Sequence, residues 1–245
     1  MWVAGADGCP AGWLAVFRSV DGQDPRGRVV KSLTDVFTAP EQPKMVAVDI
    51  PIGLLSISQR GGRAADRACR EVLAPHRQSS IFAPPCRPAL NAASFLEACA
   101  IEQANSSPPK KLSQQTFNIL AKIREADAIA LRFAGAIFEC HPEVSFWAMN
   151  ARQPMRLPKK VSRRKNPDGV SESGLRERRQ LLLQNGYSDE FLATRLGSAK
   201  DCAADDFVDA CAAAWTAERI LKRKAVRFPL LPDLDETGLD MAIWA

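Results

Sequence analysis

The sequence has few residues of the kinds that bind soft metals or form disulfide frameworks. It contains two histidines, His76 and His141, and seven cysteines, an odd number in which no pair has the Cys-x-x-Cys spacing. Zinc ribbons require such pairs, and disulfide frameworks are typical of short secreted chains with an even number of cysteines. We therefore interpret most of the cysteines as small buried apolar side chains and expect a reducing, cytoplasmic setting.

The sequence also lacks long apolar runs and a leader-like N-terminus. No segment approaches the roughly 20 apolar residues that span a bilayer. Residues 1–17 have no leading basic residue and include Asp7 within their apolar stretch, unlike a secretory signal peptide. With 245 residues, 46% of them hydrophobic, the chain can bury a core of its own. We expect a globular protein with no membrane partner.

The net charge of +5 is unevenly distributed along the chain. Residues 152–179 contain ten lysines and arginines but three acidic residues, a local charge of +7, so the rest of the chain carries −2. Such a basic segment predicts a polyanionic partner, although charge that only keeps a protein soluble has the same pattern. Within it, residues 152–172 carry proline, glycine and serine among the charges, which predicts a mobile basic loop.

Apolar patterning and turn chemistry predict a mixed α/β fold. Five short strands are expected, over 2–7, 13–17, 28–33, 45–50 and 136–141. Helical patterning predicts helices over 34–39, 63–73, 92–103, 113–133, 173–185 and 205–224. Three strands in hairpin order, followed by a crossover to a fourth, indicate a mixed sheet with helices packed against it.

Acidic residues stand at the ends of apolar strands, where a carboxylate is unfavourable unless it is paired or bound to a cation. Asp7 follows an apolar run in the first strand, Asp49 follows one in the fourth, and Glu139 lies within the fifth. Because side chains alternate along a strand, Asp7 shares a face with Val3 and Gly5. These strand ends are the most informative positions for function.

Two more carboxylates lie on the alanine-rich helix predicted near the C-terminus. Asp206 and Asp209 are three residues apart and therefore share one helix face. The small side chains of Ala210, Ala213 and Ala214 would let this helix approach the sheet closely and bring its acids to the strand ends. Alternatively, aspartates at a helix N-terminus only complement the helix dipole, a role for which Asp209 lies too deep in the helix.

Convergent carboxylates with few histidines favour a hard cation, Mg²⁺ or Mn²⁺, over zinc. Such cations serve phosphoryl transfer, in which two ions roughly 4 Å apart activate a water molecule and stabilise the leaving oxygen. That chemistry needs oxygen ligands from several elements, which the strand and helix acids supply. We therefore predict a metal-dependent phosphoryl-transfer site.

Six stretches of the sequence together resemble an uncharacterised family of predicted nucleases with a ribonuclease H-like, RuvC-like fold. They are GADGCPAGW (5–13), VDIPIGL (48–54), DRACR (66–70), SSIF (79–82), ECHPEVSF (139–146) and DDFVDA (205–210). Each stretch is short, but their combination and their order along the chain are specific.

The resemblance implies a single domain over residues 1–245, built on a five-stranded mixed sheet flanked by helices, with the first three strands antiparallel. A helical insert over 55–134 would separate strands four and five. In the wider superfamily, acids of the first strand, the fourth strand and the last helix bind metal. Carried over to this sequence, the catalytic metal ligands are Asp7, Asp49, Asp206 and Asp209.

The motif that runs from Glu139 to Glu143 has two interpretations. As a functional motif, it makes Glu139 a further catalytic acid, either a metal ligand or a general base, with His141 supporting it at the substrate. As a structural motif, it is a strand-to-helix turn with Pro142 at the start of the helix and Glu143 in its first turn.

Basic and hydroxyl side chains are the candidates for binding a nucleic-acid backbone. They are Arg63, Arg67, Arg70, Ser79 and Ser80 within the matched region, and Lys159, Lys160, Arg163 and Arg164 in the basic segment. The alternatives are an ordinary solvated helix face, on which Arg67 pairs with Glu71, and a solvated loop. The basic segment has no interleaved aromatic residues, so it supports no preference for single strands.

The sequence therefore predicts a Mg²⁺- or Mn²⁺-dependent nuclease that hydrolyses phosphodiester bonds of DNA or RNA by a two-metal mechanism. One rival function is a small-molecule phosphotransferase or nucleotide hydrolase of the actin–sugar kinase type, which shares the Asp-Gly turn after strand one. That type normally has two duplicated domains and glycine-rich phosphate loops, whereas this chain has 14 glycines and no visible duplication. The other rival is a non-catalytic nucleic-acid-binding module, which would use the basic segment equally well.

Overall fold

A mixed sheet of seven strands organises the structure, a computed structural model that describes residues 1–159, 174–198 and 200–245. In chain order, the strands are β1 (Trp2–Cys9), β2 (Gly12–Ser19), β3 (Arg26–Val30), β4 (Val46–Val48), β5 (Ser58–Gln59), β6 (Ser106–Ser107), β7 (Ile137–Cys140), β8 (Arg227–Phe228) and β9 (Ile243–Trp244). β5 and β6 pair separately, and the other seven follow the order β3-β2-β1-β4-β7-β9-β8. The β1–β2, β2–β3 and β8–β9 pairs are antiparallel, and β1–β4, β4–β7 and β7–β9 are parallel.

The structure corrects the predicted five-stranded sheet to seven strands. Each of the five predicted strands overlaps an observed one, namely β1, β2, β3, β4 or β7. The additional strands, β8 and β9, are two residues long and extend the sheet beyond β7. A strand of two residues has no measurable alternation of apolar and polar positions, so sequence patterning does not predict it.

The described residues also form the helices α1 (Leu33–Phe37), α2 (Ala64–Leu73), α3 (Phe95–Ala104), α4 (Gln114–Asn118), α5 (Leu120–Arg132), α6 (Pro142–Met149), α7 (Gly174–Gln184), α8 (Asp189–Ala193) and α9 (Ala204–Leu221). Helices α2 to α5 lie between β4 and β7, the region of the helical insert expected over 55–134. The single helix expected over 113–133 is divided at Ile119, which ends α4 and begins α5. No helix in these ranges combines the length and apolar character needed to cross a membrane.

Helix α9 packs very closely against β1 because β1 has a glycine at the crossing point. A Cβ atom on Gly5 would lie 2.0 Å from the backbone nitrogen of Ala214 and 2.4 Å from the carbonyl oxygen of Ala210. Ala210, Ala213 and Ala214 are completely buried at this contact. The expected close approach of the alanine-rich helix to the sheet is confirmed, and it determines where the acidic residues of α9 lie.

The opposite face of the sheet packs against α1 and α5, and α3 contributes to the same apolar cluster. Trp13 and Phe17 of β2 and Ile123 of α5 are completely buried in this layer. Ala4 of β1 faces the same layer, whereas Gly5 faces α9. Because side chains alternate along a strand, Asp7 lies on the same side of the sheet as Gly5, the side that faces α9.

Candidate metal centre

Three carboxylates meet at the edge of the sheet where β1 and β4 end. Asp7 belongs to β1, Asp49 directly follows β4, and Asp209 lies in the second turn of α9. One oxygen atom from each carboxylate lies within 4.8 Å of those of the other two. Asp7 and Asp209 are 8% and 6% exposed, and Asp49 is partly buried. The expected convergence of acids from two strands and one helix is therefore observed.

The strand register and the glycine of β1 bring these acids together. β1 and β4 are parallel, and their register places Asp7 and Asp49 on the same face of the sheet. Helix α9 covers that face, and its contact with Gly5 is made by Ala210, the residue after Asp209. The absence of a side chain at Gly5 is therefore what allows the helix acid to reach the two strand acids.

Burial raises the pKa values of all three carboxyl groups, and repulsion from neighbouring acidic residues adds to this effect. Burial, and then the charges of Asp49 and Asp209, raise the pKa of Asp7 well above its usual value. Burial, followed by repulsion from Asp209, raises the pKa of Asp49 to about 8. Burial also raises the pKa of Asp209 to about 6, against the opposing effect of the Lys159 ammonium. A bound cation would favour the ionised form of all three groups.

One oxygen of this cluster has no hydrogen-bond partner among the described residues. Asp209 Oδ2 accepts a hydrogen bond from the ammonium of Lys159, whereas the buried Oδ1 atom has no such partner in residues 1–159, 174–198 and 200–245. Buried polar atoms are nearly always paired, so such an oxygen beside two other carboxylates indicates a shared ligand. Carboxylate oxygens are the ligands that hard divalent cations prefer, and this donor set therefore could hold such an ion.

A cavity of about 290 Å³ opens beside the acids. Asp7 and Asp49 form part of its lining, together with Ser80, His141 and Lys122. The acids consequently border a concave surface that a small ligand or one unit of a polymer can enter.

Glu139 does not join the three aspartates. It lies opposite Val48 in the parallel pairing of β4 and β7, one residue before Asp49, so alternation directs it to the other face of the sheet. Its two oxygens accept hydrogen bonds from the Arg63 guanidinium at 2.6 and 2.7 Å. One of them also accepts a hydrogen bond from the amide of Ile52 at 2.7 Å. The structure thus places Glu139 in a buried ion pair, and a role as metal ligand stays a prediction without support from this geometry.

Arg63 lies inside the protein rather than on a surface open to a nucleic-acid backbone. It is 1% exposed and forms ion pairs with Asp66 and Glu139. Its guanidinium also donates to the carbonyl oxygens of Ile52 and Gly53, at 2.9 and 3.1 Å. Because these contacts occupy its donors, Arg63 fixes the loop after β4 instead of presenting a charge to substrate.

The other basic and hydroxyl candidates near α2 differ in their distance from the acids. Arg67 and Arg70 donate hydrogen bonds to backbone carbonyl groups of the turn before α2. Ser79 is exposed to solvent, whereas Ser80 lines the cavity and its hydroxyl donates to a backbone carbonyl group at 2.7 Å. Of these four residues, the structure brings Ser80 to the acidic site.

His141 is the N-cap of α6, as the structural interpretation of its motif expects. Its Nδ1 atom accepts a hydrogen bond from the amide of Glu143 at 3.2 Å, and Nε2 donates to the carbonyl oxygen of Ser80 at 3.3 Å. Burial lowers the pKa of His141 to about 4, so the ring is neutral at neutral pH. Glu143 itself pairs with the buried guanidinium of Arg178 at 2.6 and 2.7 Å.

The remaining candidates lie beside the cluster, at the start of α9, or outside the described residues. Lys159 contacts Asp209, and their side chains are 18% and 9% exposed. Asp206 lies outside the cluster of three carboxylates, and its Oδ2 atom accepts a hydrogen bond from the amide of Ala203 at 2.8 Å. The predicted contacts Lys160, Arg163 and Arg164, with most of the loop expected over 152–172, lie outside the described residues.

Sequence reasoning missed the apolar wall of the cavity. Phe82 belongs to one of the stretches that carry the family resemblance, yet its context does not predict a ring that is 38% exposed. Gln115 and Ile119, from α4 and its junction with α5, line the same cavity as Asp7. These residues are distant from the acids in sequence, so only the three-dimensional fold identifies them.

A comparison with protein families identifies the family of this chain. Residues 5–233 match the model of a family described as a protein of unknown function (DUF429). No curated protein and no solved structure matches the chain. The three clustered aspartates all fall within the matched residues.

Proposed function

The chain belongs to the DUF429 family, whose function is unknown, and from the geometry of its acidic site we propose that it is a Mg²⁺- or Mn²⁺-dependent enzyme that hydrolyses phosphodiester bonds of nucleic acid. The observation that carries this proposal is the meeting of Asp7, Asp49 and Asp209, with oxygen atoms within 4.8 Å of one another. Buried carboxylates from different elements are the ligand arrangement that such hydrolysis uses.

The strand order supports a ribonuclease H-like arrangement within the larger sheet. The segment β3-β2-β1-β4-β7 has three antiparallel strands followed by two strands parallel to β1. This is the five-stranded pattern that the family resemblance implies, with β8 and β9 added beyond β7. In that arrangement the first strand, the fourth strand and the last helix bring acids to one edge, as Asp7, Asp49 and Asp209 are here.

The chemistry of the donor set fits a hard divalent cation. Asp7, Asp49 and Asp209 would hold it through carboxylate oxygens, including the buried Oδ1 atom of Asp209, which no described residue hydrogen-bonds. When bound, Mg²⁺ or Mn²⁺ supplies Lewis-acid stabilisation of phosphoryl oxygens and lowers the pKa of a coordinated water molecule.

The side chains around the three aspartates have distinct parts in this proposal. Lys159 holds the Asp209 carboxylate in place and contributes a positive charge where a phosphate group would approach. His141 is neutral. Its one ring proton lies on Nε2 and is donated to the Ser80 carbonyl oxygen, while Nδ1 accepts from the Glu143 amide, so the ring positions the start of α6 and takes no part in proton transfer. Arg63 and Glu139 fix the loop that follows Asp49.

A nuclease screen in Mg²⁺ and Mn²⁺, over single-stranded, duplex, hybrid and branched substrates, tests the proposal. Asp7→Asn preserves the shape of the side chain but removes a charged ligand, and it should abolish the metal-dependent cleavage. Asp24→Asn is the matched control because Asp24 is exposed in the loop between β2 and β3. It should cleave like the wild type.

Three results would contradict the assignment. If a folded Asp7→Asn variant still cleaves nucleic acid, the aspartates are not required for the reaction. Hydrolysis of nucleotides without cleavage of any nucleic acid would favour the kinase-type rival, and salt-sensitive binding without cleavage would favour a non-catalytic module.

A further inference from the structure

The cavity beside the three aspartates has a size that suits one nucleotide unit. Its volume is about 290 Å³, and Asp7 and Asp49 form one part of its lining. Pockets that hold small organic ligands begin at about 300 Å³. The space therefore suits one base with its sugar and is far too small for a base-paired duplex.

The apolar part of the lining offers an aromatic ring for stacking. Phe82 is 38% exposed and lines the cavity with Ile81, Pro51 and Ile119. Every nucleobase has a π-face, so aromatic side chains bind bases by stacking with little dependence on base identity. The neighbouring aliphatic side chains would exclude water from the edge of a stacked base.

Gln115 and Lys122 add two polar side chains to the lining beside the apolar residues. Gln115 is exposed on α4, and its amide group can both donate to and accept from the edge of a base. The chain of Lys122 packs over Gly8, the residue after Asp7, and its ammonium donates to a backbone carbonyl group. It therefore brings a positive charge to the end of the cavity where the acids lie, as a phosphate group requires.

We propose that this cavity binds one unstacked nucleobase of the substrate, with its ring on Phe82 and its phosphate at the aspartates. The inference rests on the proposed function and deepens it, because it specifies a single strand or a strand end as the substrate. A base that stays paired and stacked in a duplex cannot enter the cavity. The basic segment alone gave no reason to expect this preference.

Isothermal titration calorimetry of the full chain in Mn²⁺ tests the proposal with two probes, a nucleoside 5′-monophosphate and ribose 5-phosphate. Neither probe contains a phosphodiester bond, so binding is measured without turnover. The wild type should bind the nucleotide about 5- to 150-fold more tightly than ribose 5-phosphate, the ratio that one base–aromatic stack accounts for.

Substitutions at Phe82 separate stacking from simple apolar contact. Phe82→Ala and Phe82→Leu should reduce the affinity for the nucleotide to about that for ribose 5-phosphate, whereas Phe82→Trp should keep the preference because it retains a π-face. The control is Leu131→Ala on α5, since Leu131 is 51% exposed and does not line the cavity. It should bind both probes like the wild type.

Equal affinities of the wild type for the two probes, no detectable binding of the nucleotide, or an undiminished preference in Phe82→Ala would each overturn the base site. The nuclease screen is read separately. Nucleotide preference without cleavage would refute the proposed function and leave the base site standing. Equal cleavage of single-stranded and duplex substrates, with no nucleotide preference, would refute the base site and leave the nuclease function standing.

Discussion

We expect Asp49→Asn to stabilise the metal-free protein relative to the wild type, and we expect this difference in the free energy of unfolding to grow as the pH rises. In the folded protein, burial and the charge of Asp209 raise the pKa of Asp49 from 3.8 to about 8. A carboxyl group with a higher pKa in the folded state binds its proton more tightly there than in the unfolded chain. The free energy of unfolding therefore falls as the pH rises between these two values. Asparagine has nearly the same shape but no charge to lose, so the variant lacks this fall.

The size of this stability difference follows from the pH interval between the pKa values of Asp49 in the unfolded and folded states. Each pH unit within it changes the free energy of unfolding by at most about 1.36 kcal/mol, so about three units, from pH 5 to pH 8, give at most about 4 kcal/mol. Asp49 is partly exposed, and solvent reduces such effects, so the advantage of the variant should grow by roughly 1–3 kcal/mol over this range. In a chain of this length, that corresponds to a relative gain in Tm of roughly 2–12 °C.

Mn²⁺ should have the opposite effect and favour the wild type over Asp49→Asn in stability. A ligand that binds only the folded protein stabilises it by about 2.7 kcal/mol at about 100 times its Kd. The wild type should gain more from Mn²⁺ than Asp49→Asn, which has lost one of three carboxylates. Thermal unfolding followed by circular dichroism, with chelator or with Mn²⁺ and at both pH values, measures these differences, and Asp24→Asn should follow the wild type throughout. A variant whose stability relative to the wild type does not change with pH, and which responds fully to Mn²⁺, would refute the reasoning.

Three further predictions concern the residues that support the acids. Gly5→Ala should lower the free energy of unfolding by about 3 kcal/mol or more in a urea titration, because its Cβ would overlap the backbone of α9; unchanged stability would mean that the helix moves freely. Glu139→Gln should lower it by roughly 3 kcal/mol even in chelator, because the buried Arg63 loses a charged partner; a loss of Mn²⁺ affinity at full stability would instead make Glu139 a metal ligand. Lys159→Met should tighten Mn²⁺ binding in calorimetry, because the ammonium at Asp209 no longer repels the cation; weaker binding would contradict this.

The meeting of the three aspartates could be expected from local patterns. Alternation in the first strand and the apolar run before Asp49 place two acids at strand ends, and parallel strands end at the same sheet edge. The spacing of small residues after Asp209 indicates a helix that can lie close to the sheet. The position of each acid at a strand end or on a helix face needs only one element at a time, so sequence periodicity is sufficient for it. Their meeting depends in addition on the register of β1 with β4 and on the contact of α9 with Gly5.

The position of Glu139 could not be predicted in the same way, because it depends on how two strands pair. The distance between Asp49 and Glu139 along the chain says nothing about register, and a shift of one residue turns a side chain to the other face of a sheet. In the structure Glu139 lies opposite Val48 rather than Asp49, and this single residue separates it from the cluster. The residues of the cavity wall were still harder to predict from the sequence. Phe82 and Gln115 line the same cavity as the acids only because of how the segment between β4 and β7 packs.

The elements that hold the three aspartates are rigid. For this reason the charges of the aspartates should affect both the free energy of unfolding and the affinity for a divalent cation. Acids that repel one another separate if their supports can move, and their pKa values then stay ordinary. Here α9 lies against the backbone at Gly5, where it cannot approach further, and the loop after Asp49 is held by the buried pair of Arg63 and Glu139. Since neither support yields easily, the repulsion is relieved by taking up protons or by binding a cation. The same packing that raises the pKa of Asp49 therefore raises the affinity for a divalent ion, and Gly5→Ala should weaken both effects together.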